Sequence, residues 1–301
     1  MLPRLKLTVL FAMSLLAATA GADSVVYVVN GTPSGAGEFG TVNLNTGVFT
    51  QISDMPEGSQ GLIPWTNGSL LTLGFSGNLY SVNPSTGVAT LIGPTGLADC
   101  ATPPASPCGP HASNSLAAVG GTLYATDLSN NLYKVNPATG AATLIGPTGI
   151  PAVPFTPATF NPDGTLNGFD EALFSANGNL YTTFDAMTID FSTFTNTAVI
   201  DPNLYRIDPV TGLATLIGPT DLGLGAATDV DGTIYAFNDI TSQAFKLNLA
   251  NGQTTFVSDF DPAAGIITGA AATPEPASFM LTALGMAGVV LSKLKSRRIG
   301  P

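Results

Sequence analysis

The stretch Asn136-Pro137-Ala138-Thr139-Gly140-Ala141-Ala142-Thr143-Leu144-Ile145-Gly146-Pro147-Thr148-Gly149 decides the fold, because it recurs almost word for word at 83–96 and 208–221. Degenerate copies occupy 43–53 and 248–258. Each copy follows a short apolar run marked by an aromatic residue: Phe39, Tyr80, Tyr133, Tyr205 or Phe245. In Leu132-Tyr133-Lys134-Val135, aromatic and β-branched residues suit a pleated, half-buried strand. Asn-Pro then opens a turn, since proline fixes φ and the Asn side chain bonds nearby backbone. Thr-Gly closes it, glycine supplying the positive φ of a tight loop. Residues 141–145 return antiparallel, and Gly146-Pro147 ends the strand. A lone hairpin is marginal in water, so repetition points to stability drawn from neighbouring copies.

The first residues of the five turns, Asn43, Asn83, Asn136, Asp208 and Asn248, are spaced 40, 53, 72 and 40 apart. A period of 40 therefore carries two insertions, of 13 residues before Asn136 and 32 before Asp208. The first coincides with a Pro-rich loop at 98–110, and the second falls in loops at 151–168 and 186–202. Ahead of each hairpin lies another strand, at 25–28, 70–73, 123–126, 180–183 and 234–237. Ahead of four of these sits a short, small-residue strand, at 61–65, 116–119, 172–176 and 225–230. Four strands per ~40 residues is the pattern of a propeller blade, with small residues where inner strands crowd the axis.

The first unit lacks its innermost strand, while 265–272 resembles the inner strand at 223–228. The sequence thus predicts an all-β, five-bladed β-propeller of four-stranded blades, its ring closed by the C-terminal strand. An open β-solenoid is the competing architecture, but it calls for shorter periods and no closing strand. The repeats resemble propeller blades in general and lack the Gly-His and Trp-Asp marks of the WD type.

Residues 1–22 read as a secretory signal peptide. Arg4 and Lys6 form a basic start, 7–16 an apolar core, and Ala18-Thr19-Ala20 or Ala20-Gly21-Ala22 a small-residue cleavage site. At the other end, Pro274-Glu275-Pro276 precedes an apolar run at 277–291, then Lys293, Lys295, Arg297 and Arg298. As a helix, 276–292 spans about 26 Å, and snorkelling lysines bring it toward a ~30 Å hydrocarbon core. The cationic tail stays cytoplasmic by the positive-inside rule. This order of parts resembles the bacterial C-terminal sorting signal called PEP-CTERM. The resemblance implies export, transient inner-membrane anchoring and recognition by an exosortase-type membrane peptidase. It also implies residence at the cell envelope, outer surface or extracellular matrix of a Gram-negative-type bacterium. An ordinary anchor that is never cut is the alternative. The chain accordingly divides into a signal peptide (1–22), a propeller (23–273) and a sorting signal (274–301) with a membrane helix at about 277–292.

Between the termini, the basic residues are Lys134, Arg206 and Lys246 alone, against all 20 acids, so 23–275 carries a formal charge of −17. Such a surface repels nucleic acid and anionic lipid. Cys100 and Cys108 sit in a Pro-rich loop, and in an exported chain a local disulfide worth about 2–3 kcal/mol is expected. Metal ligation falls short, because these cysteines and His111 make only three of the four ligands of a structural zinc site.

Chemistry-bearing motifs are sparse. His111 is the single histidine, and no Gly-x-Ser-x-Gly elbow or nucleotide loop is present. Asp170 and Glu171 before one inner strand, with Asp229 at the end of another, are candidate carboxylates for glycoside hydrolysis, which needs two such groups flanking a bond. Asp229, Asp231 and Asp163 are the weaker candidates for calcium, in segments that also read as plain turns. Trp65, the sole tryptophan, either stacks a sugar or packs between blades. No cofactor is expected. The sequence thus points to an exported, non-catalytic binding or scaffold protein contacting polysaccharide or protein through the inserted loops. A carbohydrate-active hydrolase using axial carboxylates is the alternative.

Overall fold

Strands form where large, alternating side chains run between Gly- or Asn-bearing turns, and each hairpin predicted from the repeat is present. The computed structural model describes residues 25–31, 37–97, 113–152, 165–190, 195–238 and 241–273. Blade 1 contains β1 (Val25–Gly31), β2 (Gly37–Asn43) and β3 (Phe49–Met55). Blade 2 is β4 (Ser59–Pro64), β5 (Leu70–Gly74), β6 (Asn78–Val82) and β7 (Ala89–Pro94). Blade 3 is β8 (Ser113–Val119), β9 (Thr122–Asp127), β10 (Asn131–Val135) and β11 (Ala142–Pro147). Blade 4 is β12 (Leu166–Ala176), β13 (Asn179–Asp190), β14 (Thr195–Ile207) and β15 (Ala214–Pro219). Blade 5 is β16 (Ala226–Val230), β17 (Thr233–Asn238), β18 (Gln243–Leu247) and β19 (Thr254–Asp259). The last strand, β20 (Ile266–Ala272), completes blade 1 in the order β20-β1-β2-β3.

Closure follows the prediction. Strand β20 pairs antiparallel with β1, matching Val26 to Ala272 and Val28 to Ala270. Buried Asn30 locks the join: its Nδ2 donates to the Ala264 carbonyl at 2.7 Å, and its Oδ1 accepts from the Glu38 amide at 2.7 Å. Inner strands β4, β8, β12, β16 and β20 neighbour one another in that order, and β20 returns to β4. The rim is closed as well, because the Asp261 amide donates to Gly47 O at 2.9 Å and Ser258 Oγ to Leu44 O at 2.9 Å.

The core lies between blades, in five clusters, one per boundary. Val29, Phe39 and Leu62 join blades 1 and 2, and Leu71, Leu79, Leu116 and Leu123 join blades 2 and 3. Tyr124, Leu132, Leu173 and Leu180 join blades 3 and 4, while Phe174, Leu204, Leu224 and Ala236 join 4 and 5. Val28, Val42, Phe237 and Phe260 join blades 5 and 1. Burying one such side chain stabilises by about 1.5–3 kcal/mol, against about 1 kcal/mol for a typical hydrogen bond. Interfaces rather than turns therefore hold the disc together.

The repeated turn behaves as its residues dictate. Asn136 Oδ1 accepts from the Ala138 amide at 2.9 Å, and the Gly140 amide donates to Asn136 O at 2.8 Å. Its tip rests on the preceding blade. A Cβ on Gly140 would strike Gly93 O, one on Gly212 would lie 3.0 Å from Gly146 O, and one on Gly252 would lie 2.6 Å from Pro219 O. In every blade the pairing of the last two strands also shifts by one residue at a bulge beside the aromatic, for example between Leu132 and Tyr133 or Leu79 and Tyr80. Bulges of this kind raise local twist and bend the outer strand.

One expectation is corrected. Part of the second insertion is strand rather than loop, because β12, β13 and β14 run on beyond the ordinary blade length. Leu166 pairs with Ile189 and Met187 with Ala198, extending blade 4 as a three-stranded ribbon. Thr188, Ile189, Thr195, Thr197, Val199 and Ile200 are β-branched, and β-branched residues favour a pleated ribbon over a loop. The signal peptide, the sorting signal, Cys100, Cys108, His111 and Asp163 lie outside the described residues. Among the described residues no helix is long and apolar enough to cross a membrane.

Candidate functional site

Strand direction sorts the chain's loops onto two faces. Inner strands begin at one face, which also receives each connection from the preceding blade and each turn between strands two and three. The described residues that flank both inserted segments, Leu97 and Ser113 and then Ala152 and Thr165, lie there, as does the blade 4 ribbon. The opposite face carries the tight turns Asn67-Gly68, Gly120-Gly121, Asn177-Gly178 and Asp231-Gly232, with positive φ at both central residues as type I′ hairpins require. It also carries the five repeated Asn- or Asp-led turns.

Charge is divided the same way. On the insertion face lie Glu38, Glu57 and Asp127, then Asp170, Glu171, Asp185, Asp190 and Asp201 on blade 4, while Asp54, Asp221, Asp259 and Asp261 lie at the rim, where the end of an outer strand meets the next blade's repeated turn. Asp208, Asp229 and Asp231 are the described acids on the opposite face. Lys134, Arg206 and Lys246 occupy equivalent, exposed positions two residues before a repeated turn, toward that second face. The negative potential is thus concentrated on the face that bears the insertions.

Several of these acids are structural. Buried Asp127 accepts from the Ser129 and Asn131 amides, each at 2.9 Å, and from Tyr133 Oη at 2.9 Å. Glu57 does the same in blade 2, taking Tyr80 Oη at 2.7 Å and Ser76 Oγ at 2.6 Å. Burial, followed by the hydrogen bond and charge of the carboxylate, pushes both tyrosines up to about 12. Burial also raises Tyr205.

Asp170 and Glu171 lie within β12 rather than ahead of it, because the strand starts earlier than its small-residue stretch suggests. Consecutive strand residues point to opposite faces, and these two diverge accordingly. Glu171 Oε1 accepts from Thr126 Oγ1 of blade 3 at 2.6 Å and from Thr182 Oγ1 at 3.3 Å. Asp170 turns instead toward the approach to blade 5. It is paired in register with Asp185, which sequence reading missed; antiparallel register across Ala176↔Asn179 was the signal that places them opposite. The Asp170 amide donates to Asp185 Oδ1 at 3.1 Å. Both carboxylates crowd the bare Cα of Gly223, where an added Cβ would strike Asp170 Oδ2 and lie 2.8 Å from Asp185 Oδ2.

An axial cavity of about 270 Å³ is lined by Gly61, Ser115, Ala172, Thr228, Asp229 and Thr268, among others. Asp229 is the one candidate carboxylate that lines it; Asp170 and Glu171 do not. Asp229 Oδ1 accepts the Gly232 amide at 2.8 Å, closing a hairpin turn that contains Asp231. Trp65 sits in a short turn and packs against the cluster joining blades 2 and 3. Among the described residues no group of three His, Cys, Asp or Glu is arranged to hold a metal.

The architecture defines the protein's class: a closed five-bladed β-propeller with an acidic, insertion-bearing face. No protein-family model matches the chain, and no curated protein matches it. Among solved structures, it is similar to a chain of a nidogen/laminin complex at 11% identity and TM-score 0.48, covering 83% of this chain and 98% of that one. It is similar to a structural-genomics protein of unknown function from Bacteroides thetaiotaomicron at 14% identity and TM-score 0.45, over 79% of this chain and 59% of that one. A third likeness is to the PQQ-bound aldose sugar dehydrogenase of Streptomyces coelicolor, at 17% identity and TM-score 0.36, over 67% and 60%.

Proposed function

We propose that this protein is an exported, non-catalytic binding or scaffold propeller whose insertion face contacts a polysaccharide or protein. The observation that carries the reading is that the described residues flanking both inserted segments and the blade 4 ribbon lie on one face of the disc. Loops on a rigid frame are where binding usually resides. The dense negative charge of that face favours a neutral or basic partner and steers anionic ones away. Export and C-terminal anchoring, implied by Pro274-Glu275-Pro276, the apolar run and the basic tail, belong to the same reading, as does sorting by an exosortase-type peptidase.

The hydrolase alternative draws no support from the placement of its residues. Asp170 and Glu171 project to opposite sides of blade 4, and Asp229 lies at the far end of the axial channel. Purified full-length protein, screened on an array of bacterial polysaccharides and against envelope proteins, tests the proposal. Binding that is lost in an Asp190→Lys, Asp201→Lys variant and kept in Val210→Ser is the expected result. Cleavage of a bound glycan, or binding abolished only by Val210→Ser, would overturn it.

A further inference from the structure

We infer that the face bearing the repeated turns rests on the lipid surface, so that the acidic insertion face points away from the membrane. The inference rests on the anchoring reading above and adds an orientation to it. Its first support is where the described chain ends. Thr273 Oγ1 donates to Val25 O at 2.9 Å, and Val25 pairs with Asn43, the first residue of the blade 1 turn. Thr273 therefore leaves the disc at the turn face. The apolar run starts at Ala277, four residues on, and four residues reach about 14 Å at full extension. Roughly 5–7 Å of that is taken up by the headgroup layer. An anchored disc is thus held within about a nanometre of the bilayer by the face from which its chain departs.

The composition of that face suits the position. In each repeated turn, one residue accepts the hydrogen bond from the leading Asn or Asp amide: Val48, Val88, Ala141, Leu213 and Gln253. Four of these five are apolar. Val48, Val88 and Leu213 are 54%, 60% and 58% exposed, and Val210 in the blade 4 turn is 82% exposed. Apolar side chains presented from rigid turns fit the headgroup–acyl boundary. Electrostatics selects the same pose. The three exposed cations Lys134, Arg206 and Lys246 lie toward this face beside three described acids, Asp208, Asp229 and Asp231, whereas eight described acids lie on the other, which an anionic surface repels more strongly. The overall negative charge that argued against lipid contact is therefore unevenly placed and leaves this surface balanced between three cations and three acids.

Full-length protein with Cys100→Ser and Cys108→Ser, carrying one added cysteine with an environment-sensitive fluorophore, tests the orientation in phosphatidylethanolamine–phosphatidylglycerol vesicles. Val88→Cys and Leu213→Cys report from the turn face, Asp190→Cys and Asp201→Cys from the blade 4 ribbon on the insertion face. A nitroxide on the lipid headgroup should quench the first pair at least about twofold more than the second. Equal or reversed quenching in vesicle-bound protein overturns the orientation alone. Protein that fails to float with the vesicles overturns both the anchoring reading and the orientation built on it.

Discussion

Gly93 and Gly140 meet across the boundary between blades 2 and 3, so closely that a Cβ on Gly140 would strike Gly93 O and one on Gly93 would strike Thr139 O. This contact supplies a physical reason for the strictness of the repeat. The turn tips of blades 3, 4 and 5 seat on the Gly-Pro end of the outer strand before them, where Gly93, Gly146 and Gly218 lack a side chain, whereas those of blades 1 and 2 meet Asp259 and Ser53. Gly93→Ala should therefore destabilise by about 1–3 kcal/mol, as overpacking does. Gly146→Ala should cost less, because its Cβ meets only Thr211 O, at 3.1 Å. Urea midpoints of the two variants give the comparison, and equal midpoints would remove this explanation of the repeat.

Ring closure makes a second prediction. Asn30→Ala leaves the Ala264 carbonyl and the Glu38 amide without the partner seen here. An unsatisfied buried group costs about 1–3 kcal/mol, and 1 kcal/mol moves the melting temperature of a domain this size by about 2–4 °C. Calorimetry should show a drop of about 5–10 °C. A shift under one degree would mean that the β20–β1 ladder alone closes the ring.

Tyr80 and Tyr133 set an alkaline limit. Their hydroxyls hold protons up to about 12 in the fold, against 10.0 ordinarily. The unfolded chain then deprotonates first, so the stability they contribute is complete below pH 10 and is lost as pH rises toward 12. Tyr133→Phe should be less stable than the natural protein at pH 8, by about 1 kcal/mol for one hydrogen bond. That gap should narrow at pH 11. Denaturation curves at the two pH values check it; a gap that widens would reverse the sign.

Asp208 leads the one repeated turn that does not begin with Asn. Amide bonds from Val210, then the Thr211 hydroxyl, hold its carboxyl below the ordinary 3.8. Its contribution is present above that value and fades as pH falls through the lower folded value. Asp208→Asn should leave stability at pH 7 nearly unchanged and flatten the acid limb of the profile below pH 4. A melting series from pH 2 to 7 reads this directly.

Much of the disc was legible in the chain because its determinants are local and repeated. Aromatic-marked strands, Asn-Pro turns and closing glycines recur at a countable spacing, and the resemblance of 265–272 to an inner strand announced the closure. The blade 4 ribbon was not legible, since its β-branched residues lack the repeat's turn marks and read as an insertion. The candidate carboxylates fared unevenly. Asp229 was placed at an inner-strand end, as found, but Glu171 and Asp170 were set side by side without regard to the pleat that separates them. Asp185 could be found only by pairing β13 against β12.

By itself, then, the sequence determined blade number, strand order and closure, because hairpin chemistry and periodicity are written in neighbouring residues. Tertiary structure alone decided which residues share a face. Eight described acids from blades 1 to 4 lie on the insertion face, four more sit at the rim against the repeated turns, and the chain's exit at Thr273 falls on the other side. Sequence spacing does not carry that segregation, since it arises only when alternating strand directions are wrapped into a ring and every second connection is brought to the same side.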